Sequence, residues 1–149
     1  MTYRAVALCI IRNEDRLLLE ETYDPAVDKV FYRPIGGTIE YGEDSRTTVI
    51  REVKEEIGQD IVDPVLISVI ENIYPYLQEI GHDIDFIYEA KPANENIYKQ
   101  EIVEGIEGDK PYRAVWKSLR DFKDNDSIRL VPDGLYKILM NENDDKLTK

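Results

Sequence analysis

Apolar and polar positions alternate along this chain with periods that separate strands from helices. Residues 3–11 are mostly apolar with β-branched content and read as a buried strand. Asn13, Glu14 and Asp15 supply turn chemistry ahead of a second strand at 16–23, so the two predict a hairpin. A polar loop at 24–29 precedes a short strand at 30–35, which runs into Gly36 and Gly37. The clearest helix spans 43–57. Val49, Val53 and Ile57 recur at i, i+4 and i+8 with Ile50 beside them, which makes one apolar stripe. Glu43 and Asp44 place negative charge at its start, Asp44 or Ser45 is the cap, and Gly58 ends it. Residues 65–74 and 82–90 form a second strand pair, with Asp83, Ile84, Asp85 and Phe86 alternating as on a half-exposed sheet. The acidic stretch 92–111 has no clear period and is either partly structured or functional. A strand at 112–119 carries Trp116, and Pro132, Asp133 and Gly134 open a C-terminal helix with Leu135, Ile138 and Leu139. The sum predicts an α/β (α+β mixed) fold, a mixed sheet between helices. One domain is expected over 1–141, with a polar tail at 142–149.

Composition narrows this picture. A chain of 149 residues with 42% hydrophobic content suits one core. No apolar stretch approaches a bilayer span, and the N-terminus lacks a signal-peptide pattern, so a soluble cytoplasmic protein is expected. Cys9 is the one cysteine and His82 the one histidine, which leaves nucleophilic triads a poor basis for chemistry. Cys9, in an apolar run, reads as a buried small hydrophobe. The net charge of −12 argues against nucleic acid as the main partner. A small phosphorylated substrate stays compatible, because bound divalent cations reverse the local sign of a carboxylate cluster.

The helix carries the candidate chemistry. Glu52, Glu55 and Glu56 are spaced i, i+3, i+4 and project within an arc of roughly 100° beside the apolar stripe. Like charges so placed cost a few tenths of a kcal/mol per pair. A hard cation among them accounts for that cost, since Mg²⁺ prefers carboxylate oxygens and substrate phosphates. The competing reading is a solvated face, but Arg51 and Lys54 lie off the arc and balance it poorly. Gly36 and Gly37 permit φ > 0 and close approach, so a backbone carbonyl here can complete an oxygen shell; a plain turn is the alternative.

Gly37, five residues, Glu43, seven residues, Arg51-Glu52-Val53, one residue, Glu55-Glu56, one residue and Gly58 together resemble the Nudix box. The resemblance implies a Nudix-like fold and a hydrolase that cleaves the pyrophosphate linkage of a nucleoside diphosphate joined to another moiety. ADP-ribose, a nucleotide sugar or a nucleoside triphosphate is the substrate type. It also implies Mg²⁺ as cofactor, with Mn²⁺ as a substitute, held by Glu52, Glu55, Glu56 and the Gly37 carbonyl. Glu43 and Arg51 match a structural pair. The water-activating base is Glu52 or a glutamate outside the box, from among Glu79, Glu89, Glu101, Glu104 and Glu107. The implied partner is a small nucleotide, with no membrane; the oligomeric state stays open, homodimers being frequent among such proteins. The alternative function is a non-catalytic Nudix domain that senses a nucleotide or metabolite. A metal-binding structural domain is a further alternative, and RNA-end processing is disfavoured by charge. Departures from the box are Gln59 after the last glycine, Thr47-Thr48 where small residues are common, and Pro34-Ile35 in the lead-in. Thr48, one turn before Glu52, either touches the metal shell or caps local backbone.

Outside the box, Arg33 is either a bidentate phosphate donor or part of a surface ion pair. His82 is expected as a solvated turn residue. Tyr23, Tyr32, Tyr74, Tyr76 and Tyr88 are candidates for stacking on a base, although most of the ten tyrosines should be half-buried packing. Trp116 is expected in the core or at a sheet edge.

Overall fold

A computed structural model describes residues 2–147, with side chains described through 141. In chain order the elements are β1 (Arg4–Ile10), β2 (Arg12–Asn13), β3 (Arg16–Asp24), β4 (Lys29–Thr38), α1 (Ser45–Ile57), β5 (Ile61–Tyr76) and β6 (Glu79–Pro92). After a 3₁₀ turn (Glu95–Lys99) come β7 (Ile102–Glu107), β8 (Lys110–Ser118), a second 3₁₀ turn (Leu119–Phe122), β9 (Ile128–Leu130) and α2 (Leu135–Leu147). The strands order as β5-β6-β1-β4-β3-β8-β7, with β2 on β3 and β9 on β4. β1 runs parallel to β6 and β9 parallel to β4, and the other pairs are antiparallel, so the sheet is mixed.

The period-2 geometry of a strand sorts the core into two layers. Ala7, Cys9, Ile11, Leu18, Ile35 and Trp116 pack with Val49 and Val53 of α1. Val6, Leu8, Ile10, Leu17 and Leu19 pack on the other face with Leu135 and Leu139 of α2. A central strand covered on both faces has no polar side, which is why residues 5–11 read as a continuous apolar run.

Several expectations change. The anticipated hairpin of the first two long strands does not form, because β1 pairs with β4 and β6. Only the two-residue β2 turns back on β3, through Glu14 at φ 58°. Gly36 and Gly37 lie inside β4, not in a loop, and neither takes a positive φ. The stretch 92–111 is ordered: it holds a 3₁₀ turn and the β7–β8 hairpin, turned at Gly108 with φ 64°. β9 was not anticipated. Of the expected tail, the helix backbone continues to Leu147, and its side chains from 142 onward lie outside the described residues. Among the described residues no helix is long and apolar enough to cross a membrane.

Candidate functional site

The site is built on α1 and the end of β4. Asp44 caps the helix by accepting from the Thr47 amide at 2.7 Å, and Gly58 closes it in the left-handed region at φ 68°. Just before the cap, Glu43 receives a two-pronged bond from Arg51: Nε to Oε2 at 2.8 Å and Nη2 to Oε1 at 2.9 Å. Thr48 Oγ1 lies 2.5 Å from Glu43 Oε1 and 3.0 Å from the Asp44 carbonyl. Thr48 is fully buried, and the bonds of its hydroxyl go to Glu43 and the helix start, so it braces Glu43. Arg51 above all, then Thr48, hold the Glu43 carboxyl down to about 2.

The expectation that Arg51 leaves the carboxylate face unbalanced is corrected. Its Nη1 also donates to Glu52 Oε1 at 2.9 Å and Glu55 Oε2 at 3.1 Å, and Nη2 reaches the Thr38 carbonyl at 3.3 Å. A long flexible side chain reaches neighbours that helical angles alone keep apart. The three glutamates are also unequal. Glu55 is exposed, Glu52 is half-buried and Glu56 is 5% exposed. Ile50, expected beside the apolar stripe, faces solvent at 39%.

Glu56 accepts from the Tyr112 hydroxyl at 3.1 Å. Burial pushes its carboxyl up to about 8, Glu52 and Glu107 add repulsion, and Arg33 opposes them. Among the described residues, no three acidic, histidine or cysteine side chains converge in ion-holding geometry in this conformation. The donors nonetheless fit a hard divalent ion, as one feature of β4 shows. A Cβ on Gly37 would stand 2.5 Å from Glu52 Cδ and 2.7 Å from both its carboxylate oxygens. Only glycine lets that carboxylate lie against the strand backbone, within the oxygen-rich setting that Mg²⁺ takes. Gly36 serves packing instead, because a Cβ there would collide with the Ala7 carbonyl of β1.

Arg33 is not a free phosphate donor in this structure. Its Nη2 donates to Glu20 Oε2 at 3.2 Å and to the Gly36 carbonyl at 3.3 Å, and lies 4.0 Å from Glu107. Glu20 was missed from the sequence; its carboxyl is raised by burial, with Arg33 opposing. Beside this group opens a cleft of roughly 580 Å³, whose lining includes Glu20, Glu104, Glu107, Tyr112 and Tyr23. Of the outer glutamates, Glu104 and Glu107 reach the cleft, Glu89 is paired with Arg12 at 3.1 Å, and Glu79 begins β6. Glu101 is exposed ahead of β7.

The remaining candidates fall elsewhere. Tyr88 is buried and shares a 2.6 Å bond with Ser45; Tyr32 donates to Glu21 at 2.7 Å and Tyr74 to Asp83 at 3.2 Å. Tyr32 and Tyr88 are buried and so not available to stack on a base, Tyr74 is half-buried, and Tyr76 is exposed near the β5–β6 turn. His82 lies within β6, edge-on to Tyr3 at 4.6 Å, not in a turn. Cys9 is fully buried and its thiol is pushed up to about 12 by burial, which makes it inert. Trp116 is a core residue whose Nε1 donates to the Gln100 carbonyl at 2.8 Å.

Comparison with known proteins bears on this geometry. A NUDIX domain family model matches residues 1–131. The structure is similar to a MutT NUDIX hydrolase from Burkholderia pseudomallei, with TM-score 0.65 and 19% identity over 94% of this chain and 98% of that one. It is also similar to a NUDIX hydrolase from Nitrosomonas europaea, with TM-score 0.67 and 17% identity over 97% of this chain and 91% of that one. A methanol dehydrogenase activator from Bacillus methanolicus is 38% identical over 56 residues, which are 38% of this chain and 30% of that protein.

Proposed function

The chain belongs to the Nudix family, and from that premise we propose that it is a metal-dependent hydrolase of a pyrophosphate linkage in a small nucleotide of the nucleoside diphosphate-X type. The observation that carries this reading is the seat of the Glu52 carboxylate against Gly37, where a side chain of any size is excluded. Glu52, Glu55, Glu56 and the Gly37 carbonyl would hold Mg²⁺ or Mn²⁺. Such an ion, when bound, supplies charge neutralisation at phosphoryl oxygens and lowers the pKa of a water.

The chain's own residues divide the remaining work. Arg51 clamps Glu43 and fixes the start of α1 relative to β4 through the Thr38 carbonyl. It thereby orients Glu52 and Glu55 before any substrate arrives, which is the preorganisation electrostatic catalysis needs. Water attacks a phosphorus of the anhydride, the bond from phosphorus to the bridging oxygen breaks, and two phosphorylated products leave. The water's proton passes to a carboxylate. We assign that role to Glu107, because of the outer glutamates it is the one within 4.0 Å of Arg33 and it also lines the cleft. Arg33, paired with Glu20 at 3.2 Å, is the cation we assign to a substrate phosphate.

The test is a hydrolysis screen in Mg²⁺ and Mn²⁺ across ADP-ribose, nucleotide sugars, dinucleoside polyphosphates and nucleoside triphosphates. Glu55→Gln and Glu56→Gln are run beside the wild type. Turnover is expected to fall at least about a hundredfold, the scale of losing one preorganised stabilising group. Undiminished turnover in both variants would overturn the assignment.

A further inference from the structure

Glu56 is the most buried of Glu52, Glu55 and Glu56, and among the described residues its hydrogen-bond donor from another element is Tyr112 of β8. How Tyr112 comes to point at it is set across the β7–β8 hairpin. Gly105 and Tyr112 are directly paired in register. A Cβ on Gly105 would stand 2.6 Å from Tyr112 Cζ and 2.9 Å from Cε1, closer than carbon atoms approach. The tyrosine ring therefore lies flat across the glycine, and its hydroxyl is carried over β7 toward α1. At any other residue the ring would have to lift off the strand.

The same device occurs once more in this sheet. Gly81 and Tyr74 are paired across the β5–β6 hairpin, a Cβ on Gly81 would collide with the Tyr74 ring, and the Tyr74 hydroxyl donates to Asp83 at 3.2 Å. There the carboxylate is closed off by Arg4, through bonds of 3.2 and 2.9 Å. At Glu56 no arginine or lysine comes within ion-pair distance among the described residues; Glu56 Oε2 takes the tyrosine, and Oε1 accepts nothing from a cationic side chain. A neutral donor on one oxygen fixes the carboxylate plane without neutralising its charge. That is what an orienting partner of a metal ligand does.

We propose that Tyr112, seated by Gly105, is the positioning residue for Glu56, and that Gly105 thereby adds to the site beside Glu107 of the same hairpin. The inference rests on the reading of Glu56 as a metal ligand.

Mn²⁺ binding to the full chain, read from the loss of the free-ion electron paramagnetic resonance signal, tests it without substrate. Tyr112→Phe keeps the ring and removes the hydroxyl. It is expected to weaken Mn²⁺ binding by about tenfold or more, the scale of outer-shell partners, while Tyr74→Phe leaves it unchanged. In Mg²⁺ titrations of turnover, Tyr112→Phe should raise the half-activating concentration by a similar factor and lose much less at saturating metal. Gly105→Ala, which lifts the ring but keeps the hydroxyl, should reproduce the weakened binding, and Gly105→Ala combined with Tyr112→Phe should add little further. Wild-type Mn²⁺ affinity in Tyr112→Phe, with binding lost in Glu56→Gln, would overturn the positioning role and leave the metal site standing. Equal binding by wild type and Glu56→Gln would overturn both.

Discussion

At the β5–β6 hairpin Tyr74 lies over Gly81 and donates to Asp83; at the β7–β8 hairpin Tyr112 lies over Gly105 and donates to Glu56. The backbone device is the same and the surroundings differ. Asp83 is 6% exposed and receives both nitrogens of a fork from Arg4, so its charge is paired as it is buried. Glu56 is 5% exposed with no such partner, and Arg33 nearby is committed to Glu20 and the Gly36 carbonyl. Burying a carboxylate without a counter-charge is costly, and the carboxyl responds by rising to about 8. Buried acid alone therefore does not mark a site in this protein. The mark we propose is buried acid that the fold orients and leaves without a cationic partner beside an open cleft.

The glycines give the sharpest way to break that distinction. Gly37 has no positive φ, so alanine is compatible with its backbone, and the damage from Gly37→Ala comes from its Cβ meeting the Glu52 carboxylate. A catalytic group displaced by about 1 Å costs on the order of a hundredfold. Turnover is expected to fall by at least that much with the circular dichroism spectrum retained. Gly81→Ala, which disturbs the Tyr74 ring on the paired carboxylate, should lower the melting temperature and leave turnover per folded molecule unchanged. If Gly37→Ala turned over substrate at the wild-type rate, the seat of Glu52 would be packing and nothing more.

The arginines extend the comparison to smaller effects. Arg51 holds Glu43, Glu52 and Glu55 at once, and its side chain is 23% exposed. Arg51→Met leaves three carboxylates to repel one another, and a loss of about 2–3 kcal/mol in urea unfolding is expected together with lost turnover. Arg4 is 48% exposed, which screens its pair with Asp83. Arg4→Met should cost up to about 1 kcal/mol and spare the activity of the folded fraction. A turnover defect in Arg4→Met would mean that the two carboxylate clusters are coupled.

Local chemistry made α1 readable. Val49 and Val53, four positions apart, are fully buried; Asp44 caps the helix through Thr47, and Gly58 ends it through Lys54, each contact spanning four positions or fewer. What escaped the sequence depends on partners distant along the chain. Gly37 suggested a loop with positive φ, whereas its role is set by Glu52 packing against β4. Glu20 looks like a surface residue at the end of a strand until the β3–β4 register sets it opposite Arg33. The β7–β8 hairpin stayed hidden because β7 lies at the sheet edge, where only Val103 of its six residues is buried and Gly105 interrupts the apolar alternation. Helical angles place the Arg51 Cβ off the carboxylate arc, but not its guanidinium, which reaches Glu52 and Glu55.

Asp85 supplies the most separable effect. It is 2% exposed, and its Oδ2 has no hydrogen-bond partner among the described residues. Burial first, then the charge of Asp83, push its carboxyl up to about 6, against the pull of Arg4 and Arg33. In the unfolded chain an aspartate titrates near about 3.9. Below that pH the group is protonated in both states and contributes nothing to the balance. Between about 4 and 6 the unfolded chain ionises while the folded one still holds its proton, so stability falls as pH rises; above that window the loss is constant. The total is roughly 3 kcal/mol for a shift of this size, most of it developed between pH 4 and pH 7. Glu43, held down to about 2 by Arg51, has the opposite sign and loses its contribution as pH falls below the ordinary glutamate range. Asp85→Asn removes the titration and leaves the other carboxyls in place. The difference in urea unfolding free energy between variant and wild type should therefore shift in favour of the variant by roughly 2 kcal/mol from pH 4 to pH 7. A constant difference across that range would show that the Asp85 carboxyl ionises in the fold as freely as in the unfolded chain.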